Sequence, residues 1–238
     1  MIGLNKMNTW ETKSGYKIIR ILSGRSNVFL VSNGEQNILV DTSPKYMWNT
    51  LEKRLNRLNV DHIDYLILTH THTDHAENAH RIRDKYKTSI IVHSSEAAYL
   101  ISGDNYIPQG TNFFTRAIVN ILLKRFAVKF RNEPCQYDLL VDSIFDLNDF
   151  GFNAYIMPTP GHTPGSMSVI IDDEVALVGD TMFGVFKWSV FPPYADDVRQ
   201  MINSWGRLLE TNCYVFIPSH GSANNRLSVQ KDYEKRKR

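Results

Sequence analysis

The chain has little cysteine, no long apolar run and almost no excess of one charge. Two cysteines, Cys135 and Cys213, in 238 residues are too few for a disulfide framework or a structural zinc site. Both lie away from every cluster of metal-ligand residue types and read as ordinary buried or surface thiols, so a reducing, cytoplasmic setting is expected. No stretch approaches the roughly 20 apolar residues that span a bilayer, and Met1-Ile2-Gly3-Leu4-Asn5-Lys6 lacks the apolar core of a secretory signal. A formal net charge of +2 gives no basic field of the kind nucleic acid needs. The terminal Lys235-Arg236-Lys237-Arg238 is short and reads as a solvated end. What is present is ordinary for a globular chain: 42% hydrophobic and 22% charged residues, in a length that suits one α/β domain over 1–238, with room for an insertion.

The informative segment is His70-Thr71-His72-Thr73-Asp74-His75, directly after the apolar run Tyr65-Leu66-Ile67-Leu68-Thr69. In an extended or tightly turning backbone His70 and His72 project the same way, and Asp74 and His75 swing to a neighbouring position. One metal takes three or four ligands, and this segment alone offers four, which points to two adjacent metals. Imidazole and carboxylate suit zinc, iron or manganese.

Three further strand-like runs end on a ligand type. Ala154-Tyr155-Ile156-Met157 leads to Thr159-Pro160-Gly161-His162-Thr163-Pro164-Gly165, Val175-Ala176-Leu177-Val178 to Gly179-Asp180, and Tyr214-Val215-Phe216-Ile217 to Pro218-Ser219-His220-Gly221. Functional groups gather on loops that a rigid scaffold positions. Four strand ends of this kind converge on one edge of a fold. His62, His80 and His93 match no motif and read as structural or surface residues.

The order H-x-H-x-D-H, then T-P-G-H-T-P-G-S, Gly-Asp and S-H-G resembles the metallo-β-lactamase superfamily of binuclear metallohydrolases, from about Ser26 to Gly221. The resemblance implies a four-layer αββα sandwich with the site along one edge of two sheets. It implies that His70, His72 and His162 bind one metal, that Asp74, His75 and His220 bind the other, and that Asp180 bridges them. Two divalent ions, zinc first with manganese or iron as alternatives, would then share a bridging hydroxide as nucleophile. Asp74 and Asp180 would offset the metal charge, and Asp74 would orient the bridging water.

Periodicity along the chain agrees with the sandwich. Short strands are expected at Tyr16–Leu22, Asn27–Val31 and Asn37–Val40, a helix at Met47–Leu58, a helix near Ala76–Lys87, a strand at Ser89–Val92, and a helix through Leu100 capped by Ser94 or Ser95. Strands around Ala154, Val169 and Val175, a helix near Val198–Glu210 and the strand before His220 repeat the scheme. Asp41, after the third strand, is either an outer partner of a metal-binding histidine or a cap or turn residue. Between the halves, 101–147 reads as a helical insertion. Phe113, Phe114, Ile118, Ile121, Leu122 and Phe126 fall at helical spacing, with Arg116, Lys124 and Arg125 interleaved. That helix either packs on the sandwich or on a homodimer partner, or caps the substrate pocket. A membrane-surface helix fits less well, because its polar face carries few charges. After Asp180, the rings of Phe183, Phe186, Trp188, Phe191 and Tyr194 are expected over the metals as an apolar pocket. Lys187 among them either meets a substrate anion or is a surface lysine.

Differences from branches of the superfamily narrow the substrate. β-Lactamases commonly carry Cys, or lack a ligand, where this chain has Asp180. Glyoxalase II enzymes share a Gly-Asp-Thr-x-Phe segment, here Gly179 to Phe183, but add a C-terminal helical region, and only 18 residues follow His220 here. Acyl-homoserine lactonases usually place Tyr where Phe183 stands. Phosphodiesterase and nuclease branches bring basic surfaces or extra domains that this chain does not show. The expectation is a hydrolase of a small ester, thioester or lactone. A mononuclear iron persulfide dioxygenase-like oxidoreductase is the alternative, because two His and a carboxylate serve both. A non-catalytic binding module would have eroded ligands, and none is eroded.

Overall fold

The computed structural model describes residues 7–105, 109–126 and 130–237, and side chains apart from those of 122–130. The expectations for Met1–Lys6, for Arg238 and for the side chains of Leu122, Lys124, Arg125 and Phe126 lie outside the described residues.

The first half begins as an antiparallel meander of β1 (Thr9–Glu11), β2 (Lys17–Leu22), β3 (Val28–Ser32) and β4 (Asn37–Val40). It continues through α1 (Trp48–Arg57) to β5 (Tyr65–Ile67), α2 (Thr73–Ala76), α3 (Ala79–Tyr86), β6 (Ser89–His93) and α4 (Ser94–Ser102). A small pair, β7 (Asp104–Asn105) and β8 (Phe130–Arg131), flanks α5 (Phe113–Phe126). Then come β9 (Leu139–Val141), β10 (Phe145–Asp146), β11 (Ala154–Pro158), β12 (Met167–Ile171) and β13 (Val175–Gly179). The chain finishes with α6 (Val198–Glu210), β14 (Val215–Pro218), β15 (Asn224–Asn225) and α7 (Arg226–Arg236). The strand orders are β1-β2-β3-β4-β5-β6-β9 and β10-β11-β12-β13-β14-β15. Each sheet starts antiparallel and gains parallel pairing, at β4–β5 and at β13–β14, and the second returns to antiparallel at β14–β15.

Side-chain alternation builds the four layers. Along β6, Ile90 and Val92 pack with Leu51, Leu55, Ile82 and Leu100 on the helices, while Ile91 faces the second sheet. Along β13, Val175 and Leu177 meet Phe29, Val40 and Ile67 between the sheets, while Ala176 and Val178 pack under Met201, Trp205 and Leu208 of α6. Both sheets are therefore covered on both faces, and their central strands read as nearly unbroken apolar runs.

Several sequence expectations need correction. The helix expected at Ala76–Lys87 is two helices, because Asn78 directs its backbone N–H to Thr42 Oγ1 and its amide to the carbonyls of Thr42, Ser43 and Pro44. The cap of α4 is His93, whose Nδ1 accepts from Ser95 N at 3.1 Å, and not Ser94 or Ser95. The insertion stops short of 147: β9 pairs with β6 in the first sheet and β10 with β11 in the second. Helix α5 exists, but Phe113, Phe114, Ile118 and Ile121 are exposed, and among its described side chains only Val119 is buried, so those four apolar residues do not pack on the sandwich. The first two residues of the basic tail, Lys235 and Arg236, are helical: they close α7, where Arg236 lies 4.0 Å over the Phe191 ring and Asp232 accepts from Ser189 Oγ and Val190 N. No described helix is long and apolar enough to cross a membrane.

Candidate metal centre

Four loops at strand ends bring the seven expected residues together. Beyond β5, Thr69 is held twice: its N–H and hydroxyl donate to Asp41, and its carbonyl accepts from Met167 N at 2.8 Å on the opposite sheet. That anchor buries His70 completely. His72 keeps an extended backbone and starts α2, which turns Asp74 and His75 back toward His70. The His70 ring lies 4.6 Å from His72, 4.0 Å from His75 and 4.8 Å from His162, centroid to centroid.

From the second sheet, Gly161 (φ +135) brings the His162 loop against α6 so closely that a Cβ would fall 2.2 Å from Met201 N. His162 Nδ1 donates to the Tyr194 carbonyl at 2.9 Å, leaving Nε2 facing the cluster. Asp180 follows Gly179, whose φ of +54 lets the chain turn over Thr69. His220 follows β14, with its carbonyl accepting from Gly184 N. Asp180 Oδ2 lies 3.6 Å from His162 Nε2 and 3.2 Å from His220 Nε2, and Asp180 Oδ1 lies 3.7 Å from His75 Nε2.

Three triads have donor atoms within 4.8 Å of one another: His70, His72 and His162; His70, His75 and Asp180; and Asp74, His75 and His220. His70 Nε2, His75 Nε2 and Asp180 Oδ1 are buried with no hydrogen-bond partner among the described residues. Buried polar atoms left this way are costly, and in a nest of imidazoles and carboxylates a divalent cation answers them all. The donor set fits a divalent metal.

The electrostatics divide the cluster. Burial, then the neighbouring imidazoles, pulls His70 and His72 well below the usual 6.5, so both are neutral with a lone pair available. Burial also opposes charge on His75, but Asp180, Asp41 and Asp74 overcome it and raise that group to about 10. His220 is likewise raised, against burial, by Asp180. The His partners hold the buried Asp180 carboxyl far below its ordinary value, against burial. A divalent cation would satisfy the same carboxylates and release those imidazole protons.

Asp41 stands as an outer partner. Wholly buried, it accepts from His75 Nδ1 at 2.9 Å, from Ser219 Oγ at 3.0 Å and from Thr69, so one carboxylate ties together three loops. The sequence reading passed over Ser219 and Thr69, although each sits beside a ligand-type residue in its motif. It also missed Arg25, whose Nε lies 3.6 Å from Asp74 Oδ2, because nothing in its own segment marks it. Of the expected pocket residues, Phe183 is half-buried with its ring 4.7 Å from that of His220. Phe186, Lys187 and Trp188 are exposed, and Phe186 and Trp188 stack on each other at 5.3 Å. Phe191 packs against Trp205 and Arg236 instead.

Helix–sheet–sheet–helix layers with a histidine-rich cluster at the strand ends define a metal-binding αββα protein. A family model of the metallo-β-lactamase superfamily matches residues 23–220, and the chain belongs to that superfamily. It is 30% identical over 206 residues to a probable metallo-hydrolase of Methanocaldococcus jannaschii, covering 85% of this chain and 91% of that one. It is 26% identical over 210 residues to the hydroxyacylglutathione hydrolase GloC of Haemophilus influenzae, covering 87% and 90%. Among solved structures, an archaeal metallo-β-lactamase superfamily protein from Sulfolobus tokodaii superposes with a TM-score of 0.62 at 21% identity, over 93% of this chain and 85% of that one.

Proposed function

We propose that the chain is a metal-dependent hydrolase that holds two divalent ions, zinc first, and cleaves an ester, thioester or lactone in a small molecule. The observation that carries this reading is the place of Asp180. Its carboxylate lies within 3.7 Å of His162, His220 and His75 together, so it reaches both the three-histidine side and the acidic side. His70, His72 and His162 would hold one ion, Asp74, His75 and His220 the other, and Asp180 both. The chemistry such a pair would supply when bound is an activated water nucleophile and polarisation of the electrophilic carbonyl.

The chain's own residues do the rest. Asp41 fixes the His75 ring by its Nδ1, and the Tyr194 carbonyl fixes His162 in the same way, so each ring presents Nε2 inward. Asp74, itself beside Arg25 and within 3.5 Å of His220 Nε2, is placed to accept a proton at the mouth of the site. Phe183 covers the His220 side with an apolar face.

A thioester is favoured within the class. The brevity after His220 set the sequence reading against a glutathione thioester. That objection loses its force because GloC, a hydroxyacylglutathione hydrolase by name, is matched over 90% of its own length. The test is metal content by plasma mass spectrometry on protein purified without a histidine tag, followed by a screen of esters, thioesters and lactones. About two zinc or manganese ions with hydrolysis support the proposal. About one iron, with oxygen consumed on persulfides, would replace it with sulfur oxidation.

A further inference from the structure

Thr71 separates His70 from His72, and every polar group it owns is held by residues outside the ligand motifs. Its N–H and its hydroxyl both donate to Glu96 Oε2, at 3.0 and 2.5 Å. Its carbonyl accepts from Asn132 Nδ2 at 3.0 Å and Asn105 Nδ2 at 2.5 Å. Glu96 lies in the first turn of α4, Asn105 on β7, and Asn132 just after β8. Thr71 and Glu96 are each 1% exposed.

The surroundings are shaped to bring these groups in. Gly103 (φ +72) ends α4, and a Cβ there would lie 2.3 Å from the Asn132 carbonyl oxygen, so glycine permits the close pass of the Asn132 strand. On the other side, a Cβ on Gly165 would lie 2.4 Å from Glu96 Cγ. Glu96 is therefore wedged between the first ligand loop and the Thr159–Gly165 loop that carries His162. Its Oε1 is buried with no partner among the described residues. A carboxylate that deep, with one oxygen satisfied, is destabilising in an apolar interior.

We propose that Glu96, with Asn105 and Asn132, is a positioning residue of the metal centre: by gripping Thr71 at all its polar groups it aims His70 and His72 at one cation. The β7–β8 pair at the base of the insertion is then part of the site, rather than only a cap or a dimer surface. This rests on the reading that His70, His72 and His162 hold a metal ion.

The test compares wild type, Glu96→Ala, Glu96→Gln and the double variant Asn105→Ala with Asn132→Ala. Zinc affinity is measured by competition with a chromophoric chelator, the ligand field by the visible spectrum of the cobalt-loaded protein, and the fold by the melting temperature of metal-free protein. Glu96→Ala is expected to weaken zinc binding by about 10–100-fold and to alter the cobalt spectrum. Glu96→Gln, whose amide oxygen still accepts from Thr71, recovers most of the affinity. Wild-type affinity and spectrum in Glu96→Ala, with only a lower melting temperature, would overturn the proposal and leave Glu96 as a fold staple. If Glu96→Ala does not fold, Asn132→Ala combined with Asn105→Ala puts the same question by freeing the Thr71 carbonyl, and unchanged affinity there is equally fatal. A wild type that binds no zinc would instead break the metal reading itself, and this inference with it.

Discussion

Residues 69–75 and residues 183–188 both follow a buried strand, yet they are built in opposite ways. In the first segment His70 and His75 are fully buried, and Asp41 and Glu96 hold the intervening backbone and rings. In the second, past Phe183, the side chains of Val185, Phe186, Lys187 and Trp188 turn to solvent. Helix α5 carries further open apolar surface in Phe113 and Phe114, 80% and 77% exposed. Its base is joined to the aromatic loop, since Thr111 N donates to the Pro193 carbonyl and Thr111 Oγ1 to that of Pro192. On the proposed function, the difference would separate chemistry from recognition. Groups that hold a metal must be fixed to within fractions of an ångström, so they are buried and doubly tied. Surfaces that meet a substrate need only be reachable.

The hardest blow to that contrast is struck at Asp180, which serves both sides of the cluster. Asp180→Ala is expected to remove at least one ion per chain and to lower any hydrolytic activity by more than about a hundredfold, beyond what an outer partner costs. Plasma mass spectrometry and a kinetic assay read both. Normal metal content and turnover would mean that the buried region is not the seat of the chemistry.

Asp41→Asn comes next. Asn tolerates the left-handed backbone at this position (φ +62), so the fold is kept while the carboxylate that holds His75, Ser219 and Thr69 loses its charge. Metal affinity should fall by about 10–100-fold, measured by chelator competition. Unchanged affinity would leave Asp41 as a loop tie only.

How much of this could be read in the sequence follows the same division. The ligand types stand at the ends of apolar runs, so His70, His72, Asp74, His75, His162, Asp180 and His220 could be picked out, and the structure gathers all seven. The layers were legible through the resemblance that the ligand motifs carry; a wholly apolar run such as Ile90-Ile91-Val92 marks a buried strand without saying which side chain faces which layer. Glu96, Asn105 and Asn132 were not legible, since a side chain that reaches a loop 25 to 61 residues away leaves no local pattern. The role of α5 stayed open for a related reason. Helical spacing shows that apolar residues share a side, but not that anything covers it. The end of the insertion was missed because β9 and β10, of three and two residues, are too short to announce themselves.

Phe183 marks the border between the two regions, half-buried against the His220 ring. Phe183→Tyr places a hydroxyl at that border and is expected to raise lactone hydrolysis severalfold over the parent rate. No change in kcat or KM would show that the ring does not face the reacting carbonyl. On the open side, Phe113→Ser with Phe114→Ser should leave metal content unaltered and stability within about 0.5 kcal/mol for each change, as for other exposed positions. A large loss of either would mean that the exposed surface supports the buried one.

The smallest effect concerns burial without a partner. Cys135 and Cys213 are 5% and 0% exposed, and burial pushes each thiol up from 9.0 to about 11. In contrast to His75, no surrounding charge outweighs the burial; Arg83 near Cys135, and the Thr211 hydrogen bond with Arg226 at Cys213, lower these values only in part. A thiol whose pKa is raised on folding contributes stability that is complete below the unfolded value and is lost as the pH climbs through the folded one. Their share of the alkaline destabilisation should therefore fall between about pH 9 and pH 11. Lysines and tyrosines titrate in the same range, so the comparison is with Cys135→Ala plus Cys213→Ala, whose melting temperature should decline less steeply across that window. Rapid reaction of both thiols with a disulfide reagent at pH 8, in the folded protein, would show that the interior opens, and burial would no longer distinguish the fixed region from the free one.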